Sequence, residues 1–335
     1  MAERVRWRAL ALLPTPVEVL PSPPGFRGRL YVKRDDLTSS LYGGNKIRKF
    51  EYLFARAAHA GARTLVAVGG IGSNQGLAVA LHGRALGFSV ELSLAWQPIT
   101  EGVRRNLRGM IAAGARLHYA PTTIGALWHL TRIARGLRRR GAAPFVLPIG
   151  ATSAESSLGY VFAGFELAEQ VRAGLLPEPD RIYVACGTCG TAAGLIVGCR
   201  LAGLKSRVSA VRISGRLLTN TPLLLREMRR VASFFKVHTG WQDAGLVGGY
   251  AGARYGAPTR EAEAAIAWAA PRLSLETTYT GKALAACLDA CRAADAGETI
   301  LFWNTYNSAS FAVAEGFDGL SAALVAELAE PPVLH

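Results

Sequence analysis

A lysine follows a glycine turn in the segment Gly43-Gly44-Asn45-Lys46, and a helix-like run begins directly after it. Glycine lets the backbone adopt positive φ angles and approach a bound group closely. The free N–H groups and positive dipole end of the helix lower the cost of holding the Lys46 amine in its neutral form. A neutral lysine amine forms a Schiff base with a carbonyl compound. Lys46 is therefore a candidate Schiff-base residue, and a surface turn with a solvated lysine is the alternative.

A second turn with chemical potential follows the predicted strand 181–185 and opens a predicted helix. Backbone N–H groups at such a turn, together with the helix dipole, form a phosphate site. The turn lacks both a GxGxxG pattern and the Gly-Lys-Ser/Thr ending of a P-loop, so a tight turn without a ligand is the alternative. Its residues are Gly187, Thr188, Cys189, Gly190 and Thr191.

Ser73 and Asn74 follow a third glycine turn, which also joins a predicted strand to a predicted helix. Ser73 suits the N-cap of that helix. The functional alternative is a cluster of donors over a small anionic ligand, with Asn74 free to bond a cofactor hydroxyl. Together with Lys46 and the phosphate turn, this pair suggests pyridoxal phosphate as the cofactor.

Two series of alternating strands and helices must position these turns. Short apolar strands between amphipathic helices predict an α/β fold with two domains, each an open, mostly parallel twisted sheet flanked by helices. We expect the ligand in the cleft between the domains. The larger, cofactor-binding domain is predicted to comprise residues 1–48 and 151–335, and the smaller domain residues 49–150. Residues 1–29 are predicted to be extended, and residues 241–258 to form a loop.

The composition excludes several classes of protein. The 335 residues are 50% hydrophobic, which is enough for large buried cores, and carry a formal net charge of +14. Such a charge can indicate nucleic-acid or membrane binding. Most of the arginines are scattered along predicted helices, and true clusters occur only at 138–140 and 229–230. This distribution favours solvated helix faces, so neither a nucleic-acid nor a membrane partner is predicted.

Cysteine usage and the N-terminus predict a cytoplasmic location. The first apolar run is broken by Pro14 and Pro16, which makes it too short for a signal sequence or a membrane span. Five cysteines in a chain of this length favour a reducing compartment. Cys186 and Cys189 have the spacing of a redox pair or half a zinc site, but no second pair completes it. No metal site is predicted.

The chain resembles the 1-aminocyclopropane-1-carboxylate deaminase/D-cysteine desulfhydrase family, which are fold-type II pyridoxal-phosphate enzymes of the tryptophan-synthase-β kind. The resemblance extends over most of the chain and depends on the order and spacing of several short segments, each of them weak alone. These segments are 33–37, 43–49, 73–74, 158–161 with 166–167, 186–194, 255–259 and 279–282.

The resemblance implies how the cofactor, pyridoxal 5′-phosphate, would be held. Lys46 would carry it covalently and would later abstract the Cα proton of the substrate. Asn74 would bond its phenolic oxygen, and the turn 187–191 would hold its phosphate. Thr305 would bond its pyridine nitrogen. Since a hydroxyl cannot keep that nitrogen protonated as a carboxylate would, this partner suits elimination better than transamination.

The resemblance also implies the substrate contacts. Ser73 and neighbouring N–H groups would bind the substrate carboxylate, while Tyr255 and Tyr279 would act in proton transfer or leaving-group handling. Family members that open the cyclopropane ring usually carry glutamate after this second tyrosine, where this chain has Thr280. The implied function is β-elimination from a cysteine-like amino acid by a cytoplasmic homodimer. A cyclopropane deaminase and a catalytically silent ligand-binding protein are the alternatives.

Several positions depart from the family pattern. Gly72 replaces the usual glutamine, and we expect this change to leave room in the substrate pocket. Cys189 replaces a glycine of the phosphate turn. Residues 304–307 read Asn-Thr-Tyr-Asn in place of His-Thr-Gly-Gly, which adds bulk near the substrate. These changes affect the expected substrate more than the expected cofactor.

Overall fold

The structure is a computed structural model that describes residues 5–238, 240 and 244–329. The strands in this part of the chain are β1 (Val17–Leu20), β2 (Arg29–Arg34), β3 (Thr64–Gly70), β4 (Ser89–Ala95), β5 (Arg116–Ala120), β6 (Pro144–Val146), β7 (Arg181–Cys186), β8 (Arg207–Arg212), β9 (Gly245–Val247) and β10 (Thr299–Asn304). The α-helices are α1 (Asn45–His59), α2 (Asn74–Ala85), α3 (Glu101–Ala112), α4 (Thr123–Arg139), α5 (Ala154–Arg172), α6 (Gly190–Leu201), α7 (Thr221–Ala232), α8 (Arg260–Ala269), α9 (Thr280–Arg292) and α10 (Ala322–Ala329).

The strands form two separate open sheets. The larger sheet has the order β1-β2-β10-β7-β8-β9, and the smaller has the order β5-β4-β3-β6. All neighbouring strands are parallel except β1 and β2, which run antiparallel at the edge of the larger sheet. Parallel sheets require crossover connections, which the helices supply on the sheet faces. The predicted α/β fold class is confirmed.

Some elements were not predicted from the sequence. The proline-rich segment before Arg29 was expected to be merely extended, yet it contributes β1, where an edge position tolerates prolines nearby. Helix α7 was missed although Asn220 caps it, accepting a hydrogen bond from the Leu223 N–H at 2.9 Å. Strand β9 lies inside the predicted loop 241–258, of which residues 241–243 lie outside the described part.

Helix α1 packs against the cores of both sheets. Ile47, Phe50 and Phe54 belong to the apolar core around the smaller sheet, whereas Tyr52 belongs to the core around the larger sheet. The predicted domain boundary between residues 48 and 49 falls inside this continuous helix. The division into domains stays a prediction, but one rigid helix connects the two cores and carries Lys46 between them.

A buried network of charges fixes α1 against the larger sheet. The Arg48 guanidinium donates to the Asp35 carboxylate at 2.8 and 3.0 Å and to the Glu166 carboxylate at 2.9 Å. The Lys33 ammonium donates to Glu166 at 2.5 Å, and the Tyr160 hydroxyl donates to Asp35 at 2.6 Å. Arg48, two residues after Lys46, therefore anchors the start of the helix that carries the candidate nucleophile.

Candidate active site

A cavity of about 240 Å³ lies between the two sheets, at the carboxyl ends of their strands. Ligands of open parallel sheets bind at this edge. Residues from the ends of β3, β4 and β7 line it, together with segments that follow β8 and β10. Every residue proposed from the sequence lies in its wall: Lys46, Ser73, Asn74, Gly187, Thr188, Cys189, Gly190, Thr191, Tyr255, Tyr279 and Thr305.

The glycine turn before Lys46 is locked against the segment that follows β10. Gly44 has a φ of +97°, and a Cβ there would lie 2.4 Å from the carbonyl oxygen of Tyr306. A Cβ on Gly43 would lie 2.1 Å from the carbonyl oxygen of Asp36, and the Gly43 N–H donates to the Asn307 side chain at 2.6 Å. The close backbone contacts require glycine at both positions. They fix the turn so that Lys46 lies in the first turn of α1.

The amine of Lys46 is held without an ionic partner. Burial lowers its pKa from the ordinary lysine value to about 8, and no carboxylate of the described residues opposes this shift. An amine with such a pKa is neutral in about a tenth of the molecules at pH 7, a far larger fraction than for a surface lysine. Lys46 therefore reaches the neutral state that a Schiff-base lysine needs much more readily than a solvated lysine does.

The turn at the start of α6 is shaped to hold an anion. Cys189, at the N-cap, has a φ of +64°, a conformation that costs a non-glycine residue about 1 kcal/mol or more. A Cβ on Gly190 would lie 2.7 Å from the Thr152 side chain, so the turn packs tightly. The N–H groups of the first helical turn have no intrahelical acceptors. The Ser157 hydroxyl behind the turn is buried without a hydrogen-bond partner among the described residues.

A second buried lysine, which belongs to the segment 43–49 but was given no role from the sequence, lies beside this turn. The Lys49 ammonium is 1% exposed and donates to Thr152 Oγ1 at 3.2 Å. Burial, and then the nearby Lys46, lower its pKa well below the ordinary value. An anion in the turn would stabilise this ammonium, which otherwise has no carboxylate partner in the described part of the chain. The spacing of three residues from Lys46 along a helix was the available signal, because it places both amines on one face.

Asn74 is oriented by side chains that sequence reasoning missed. Its Oδ1 accepts hydrogen bonds from the Asn106 side chain at 2.8 Å and from the Tyr42 hydroxyl at 3.4 Å. The Asn74 Nδ2 group is left as a donor toward the cavity. Such a donor suits an anionic phenolic oxygen, which is the contact that the family resemblance implies.

Ser73 caps α2, and its Oγ accepts a hydrogen bond from the Gly76 N–H at 3.1 Å. The expectation that Gly72 leaves room in the pocket is wrong. A Cβ on Gly72 would lie 2.6 Å from Val103 Cγ2, so helix α3 occupies that space. The amide oxygen of Gln97 accepts a hydrogen bond from the Gly72 N–H at 3.2 Å and lies where a Cβ on Gly70 would be.

The two tyrosines expected to face the substrate form a pair. Their hydroxyls are hydrogen-bonded to each other, and their rings lie 6.2 Å apart in an edge-on arrangement. Burial raises the pKa of Tyr279 well above its usual value. The Lys282 ammonium donates to the carbonyl oxygens of Ala251 and Ala257 at 2.7 and 2.8 Å. This lysine therefore ties the loop that carries Tyr255 to the helix that begins beside Tyr279.

Glu276 brings a carboxylate into the cavity wall, although Thr280 lacks one. Its oxygens accept hydrogen bonds from the N–H groups of Thr278, Tyr279 and Thr280 at 2.7 to 3.0 Å. Burial raises its pKa, whereas these N–H groups act in the opposite direction. The carboxylate caps α9 and fixes the backbone of Tyr279. Sequence reasoning considered only position 280.

The segment after β10 has residues that line the cavity and a residue that holds the neighbouring glycine turn. Thr305 and Tyr306 line the cavity, and Tyr306 adds bulk there as expected. Asn307 is not part of the lining. Its Oδ1 accepts from the Gly43 and Ala309 N–H groups, so this residue holds the glycine turn rather than a ligand.

Known proteins are similar to this chain in sequence and in fold. Residues 9–305 match the family described as pyridoxal-phosphate dependent enzyme. The chain is 37% identical to nocardicin C-9′ epimerase of Nocardia uniformis subsp. tsuyamanensis over 83% of this chain and 86% of the relative. It is 31% identical to D-cysteine desulfhydrase of Klebsiella pneumoniae over 82% of this chain and 85% of that relative. A solved structure of an ACC deaminase homologue superposes with a TM-score of 0.80 at 31% identity, covering 91% of this chain and 92% of that one.

Proposed function

We propose that this chain, which belongs to the family of pyridoxal-phosphate-dependent enzymes, is a lyase that removes a β-substituent and the amino group from a cysteine-like amino acid. The products are ammonia, a keto acid and the released thiol or sulfide. The proposal depends on one observation about the cavity. The unpaired, half-buried amine of Lys46 shares it with the hydrogen-bonded hydroxyls of Tyr255 and Tyr279.

The residues of the cavity fit the cofactor, pyridoxal 5′-phosphate. The turn Gly187–Thr191, the free hydroxyl of Ser157 behind it and the ammonium of Lys49 suit a phosphate group. The amine of Lys46 would hold the cofactor covalently, while Asn74 and Thr305 would bond its ring substituents. When bound, the cofactor supplies an electron sink for negative charge at the substrate Cα.

The protein's own groups would then bind the substrate and move protons. The Ser73 hydroxyl and the N–H groups near it would orient the substrate carboxylate. The Lys46 amine would take the Cα proton, since burial has brought its pKa close to the working pH. The Tyr279 hydroxyl would give a proton to the departing sulfur, because burial keeps this phenol protonated. Tyr255 would hold the Tyr279 hydroxyl in place.

We expect the uptake of the cofactor by apoenzyme to depend on pH through Lys46. Only the neutral amine attacks a carbonyl, and the pKa of Lys46 is about 8. Below pH 8 the rate should therefore rise about tenfold per pH unit, and above pH 8 it should level off. Stopped-flow absorbance between pH 6 and 10 measures this profile. A rate that still rises tenfold per pH unit up to pH 10, as for a solvated lysine, would contradict the assignment.

Replacing Tyr279 with phenylalanine should leave cofactor binding intact and slow turnover about 10²-fold, since a positioned proton donor contributes at least that much. The ring still fills its place, and the backbone of residue 279 remains held by Glu276. The measurement is kcat on the true substrate beside the visible spectrum of the holoenzyme. Tyr250→Phe is the matched control, because that hydroxyl bonds Asp289 on another surface. Equal kcat for Tyr279→Phe and wild type would remove this residue from the mechanism.

The proposed function is tested with purified holoenzyme and a panel of amino acids. The panel contains both enantiomers of cysteine and serine, β-chloroalanine, cysteate and 1-aminocyclopropane-1-carboxylate. Keto acid and ammonia should form from cysteine-like compounds, and weakly or not at all from the cyclopropane compound, because position 280 is threonine. If the cyclopropane compound is the best substrate, the chain is a deaminase of that ring instead.

A second candidate function is epimerisation at Cα. The similarity to an epimerase and the presence of two proton-carrying groups, the Lys46 amine and the Tyr255–Tyr279 pair, favour it. In deuterated water an epimerase would return labelled amino acid of inverted configuration without forming keto acid. A lyase would form labelled keto acid. The same panel, analysed by chiral chromatography, separates these outcomes.

The location and the oligomeric state of the enzyme are part of the proposal. In the described part of the chain, no helix combines the length and the apolar character that a bilayer crossing requires. We propose a cytoplasmic homodimer, which sedimentation of the purified protein would test. A small amino acid is the expected substrate, and neither nucleic acid nor membrane is an expected partner.

A further inference from the structure

Three large aliphatic side chains lie at the mouth of the cavity with much of their surface exposed. Leu127, Ile149 and Leu218 are 36%, 49% and 56% exposed, yet all three line the same cavity as Lys46. They come from the N-terminal part of α4, the turn between β6 and α5, and the loop between β8 and α7. Exposed apolar groups that converge on one opening indicate a binding surface. We call these three residues the rim.

The amines and the carboxyl group that line the cavity come from segments other than those of the rim. Among the lining residues that the structure describes, those with a side-chain amine or carboxyl group are Lys46, Lys49 and Glu276. Lys49 is almost fully buried beside the phosphate turn, and the Glu276 carboxylate is held by N–H groups of α9. The three rim side chains themselves offer no charge to a polar substituent, and the Arg254 guanidinium, which is outside the lining, lies 5.9 Å over the Trp96 ring. A sulfonate or carboxylate at the far end of a substrate would lose water there without gaining an ionic partner.

We infer that the substrate of the proposed lyase is a cysteine derivative whose sulfur carries a bulky apolar group, and that this group rests on the rim. The inference depends on the proposed function and specifies its substrate class. In the reaction the Cβ–S bond breaks, the Cα proton is lost, and the sulfur leaves as a thiol after gaining a proton. One water is consumed, and pyruvate and ammonium are the other products, so atoms and charge balance without an oxidant.

The arrangement of the cavity supports this assignment. Trp96, which continues the apolar wall after β4, is fixed because its indole N–H donates to Glu327 at 3.1 Å. Ser73 and Thr305, which would bind the substrate carboxylate and the cofactor ring, are each 8% exposed, whereas the rim residues are 36% to 56% exposed. A small substrate such as cysteine would occupy the inner part and leave the rim in water. A substrate with an aromatic or branched group on sulfur would cover the rim as well.

The experiment compares S-benzylcysteine with cysteine, in both configurations, on holoenzyme. We expect kcat/KM for the better S-benzyl enantiomer to exceed that for cysteine by ~10-fold or more, since a hydrophobic pocket discriminates by ~10–200-fold per group. Leu218→Ser should reduce this ratio about tenfold. Leu217→Ser is the matched control, because Leu217 is 92% exposed and is not part of the cavity lining. That variant should keep the wild-type ratio.

The outcomes separate the substrate class from the lyase function. If cysteine is eliminated efficiently, S-benzylcysteine is the poorer substrate and Leu218→Ser leaves the ratio unchanged, the inference is overturned while the lyase stands. If no amino acid undergoes elimination, but calorimetry shows that S-benzylcysteine binds and that Leu218→Ser weakens this binding, the rim is confirmed as a binding surface. The proposed lyase function is then refuted. If Leu218→Ser instead dissociates an oligomer in sedimentation, the rim is a subunit contact and the inference is overturned.

Discussion

Lys46→Ala should abolish turnover, with a loss of at least ~10⁴-fold in kcat. The change removes the amine that would hold the cofactor and the base that would take the Cα proton, and a positioned base alone contributes ~10²–10⁴-fold. The glycine turn should still form, because its contacts with Tyr306 and Asn307 involve residues 43 and 44 rather than the lysine. Loss of activity in a folded protein is the expected result.

A chemical label tests the same assignment without relying on activity. Borohydride reduction of the holoenzyme should fix the cofactor to the tryptic peptide 35–48, which contains Lys46 as an uncleaved lysine. Lys282 is the alternative site, since burial also lowers its pKa to about 8. Its ammonium, however, is occupied by two carbonyl oxygens and does not line the cavity. Label on the peptide that contains Lys282 would overturn the assignment.

A control variant guards against a general effect of removing lysine. Lys205 is exposed on the turn before β8, and its side chain makes no contact with the cavity. Lys205→Ala should keep wild-type turnover and the wild-type spectrum. If both alanine variants lose activity equally, the loss at residue 46 is not evidence for a catalytic amine.

The sequence indicated the chemistry well where one short segment supplies it. The turn before Lys46 needs two glycines because the backbone of residues 305–306 and of Asp36 lies against it. The two glycines are adjacent in the sequence, so the turn can be recognised there. The phosphate turn is visible for a similar reason, since it joins a strand to a helix within a few residues. A backbone conformation that requires particular residues within a short segment can be recognised in the sequence of that segment.

Contacts between distant segments were not visible in the same way. Asn106 orients Asn74 from a different helix, and Gln97, in the segment after β4, accepts a hydrogen bond from the Gly72 N–H. Neither residue lies in a motif, so only the folded chain brings them to the site. Reading Gly72 as empty space failed because Val103 of α3 already occupies it.

The carboxylate of Glu276 was not predicted from the sequence, although the nearby tyrosine was. The family pattern places a glutamate directly after this tyrosine, and this chain has threonine at position 280. The carboxylate in the cavity wall comes from four residues earlier, because the chain turns there to begin α9 and folds residue 276 back onto the N–H groups of Tyr279 and Thr280. Helix caps of this kind are set by backbone geometry as much as by residue type.

Arg48→Met should cost the protein about 3–5 kcal/mol of its free energy of unfolding. Removing one partner of a buried ion network leaves the others uncompensated. Asp35 is fully buried and would lose the two hydrogen bonds that Arg48 donates to it, at 2.8 and 3.0 Å. Glu166 would keep Lys33 as a partner. Denaturant unfolding of wild type and variant measures the difference.

The control is an arginine of the same helix whose ion pair lies in water. Arg56 pairs with Glu155 at 2.6 Å, with side chains 44% and 30% exposed. Arg56→Met should change the free energy of unfolding by no more than ~1 kcal/mol. Equal losses for the two variants would show that burial of the network around Arg48 does not increase its contribution to the free energy of unfolding.

The same network predicts the response of stability to acid. Burial alone would raise the pKa of Asp35, but the adjacent Arg48 guanidinium outweighs it and lowers the pKa to about 2. A carboxylate whose folded pKa lies below its unfolded value of about 3.9 stabilises the protein above pH 4. That contribution is lost as the pH falls from about 4 to about 2. In Arg48→Met the carboxyl of Asp35 loses the group that keeps it charged, so unfolding should begin at a higher pH than in wild type. Acid titrations followed by circular dichroism would show this shift, and identical acid midpoints would refute the role of Arg48 in holding α1 and, with it, Lys46.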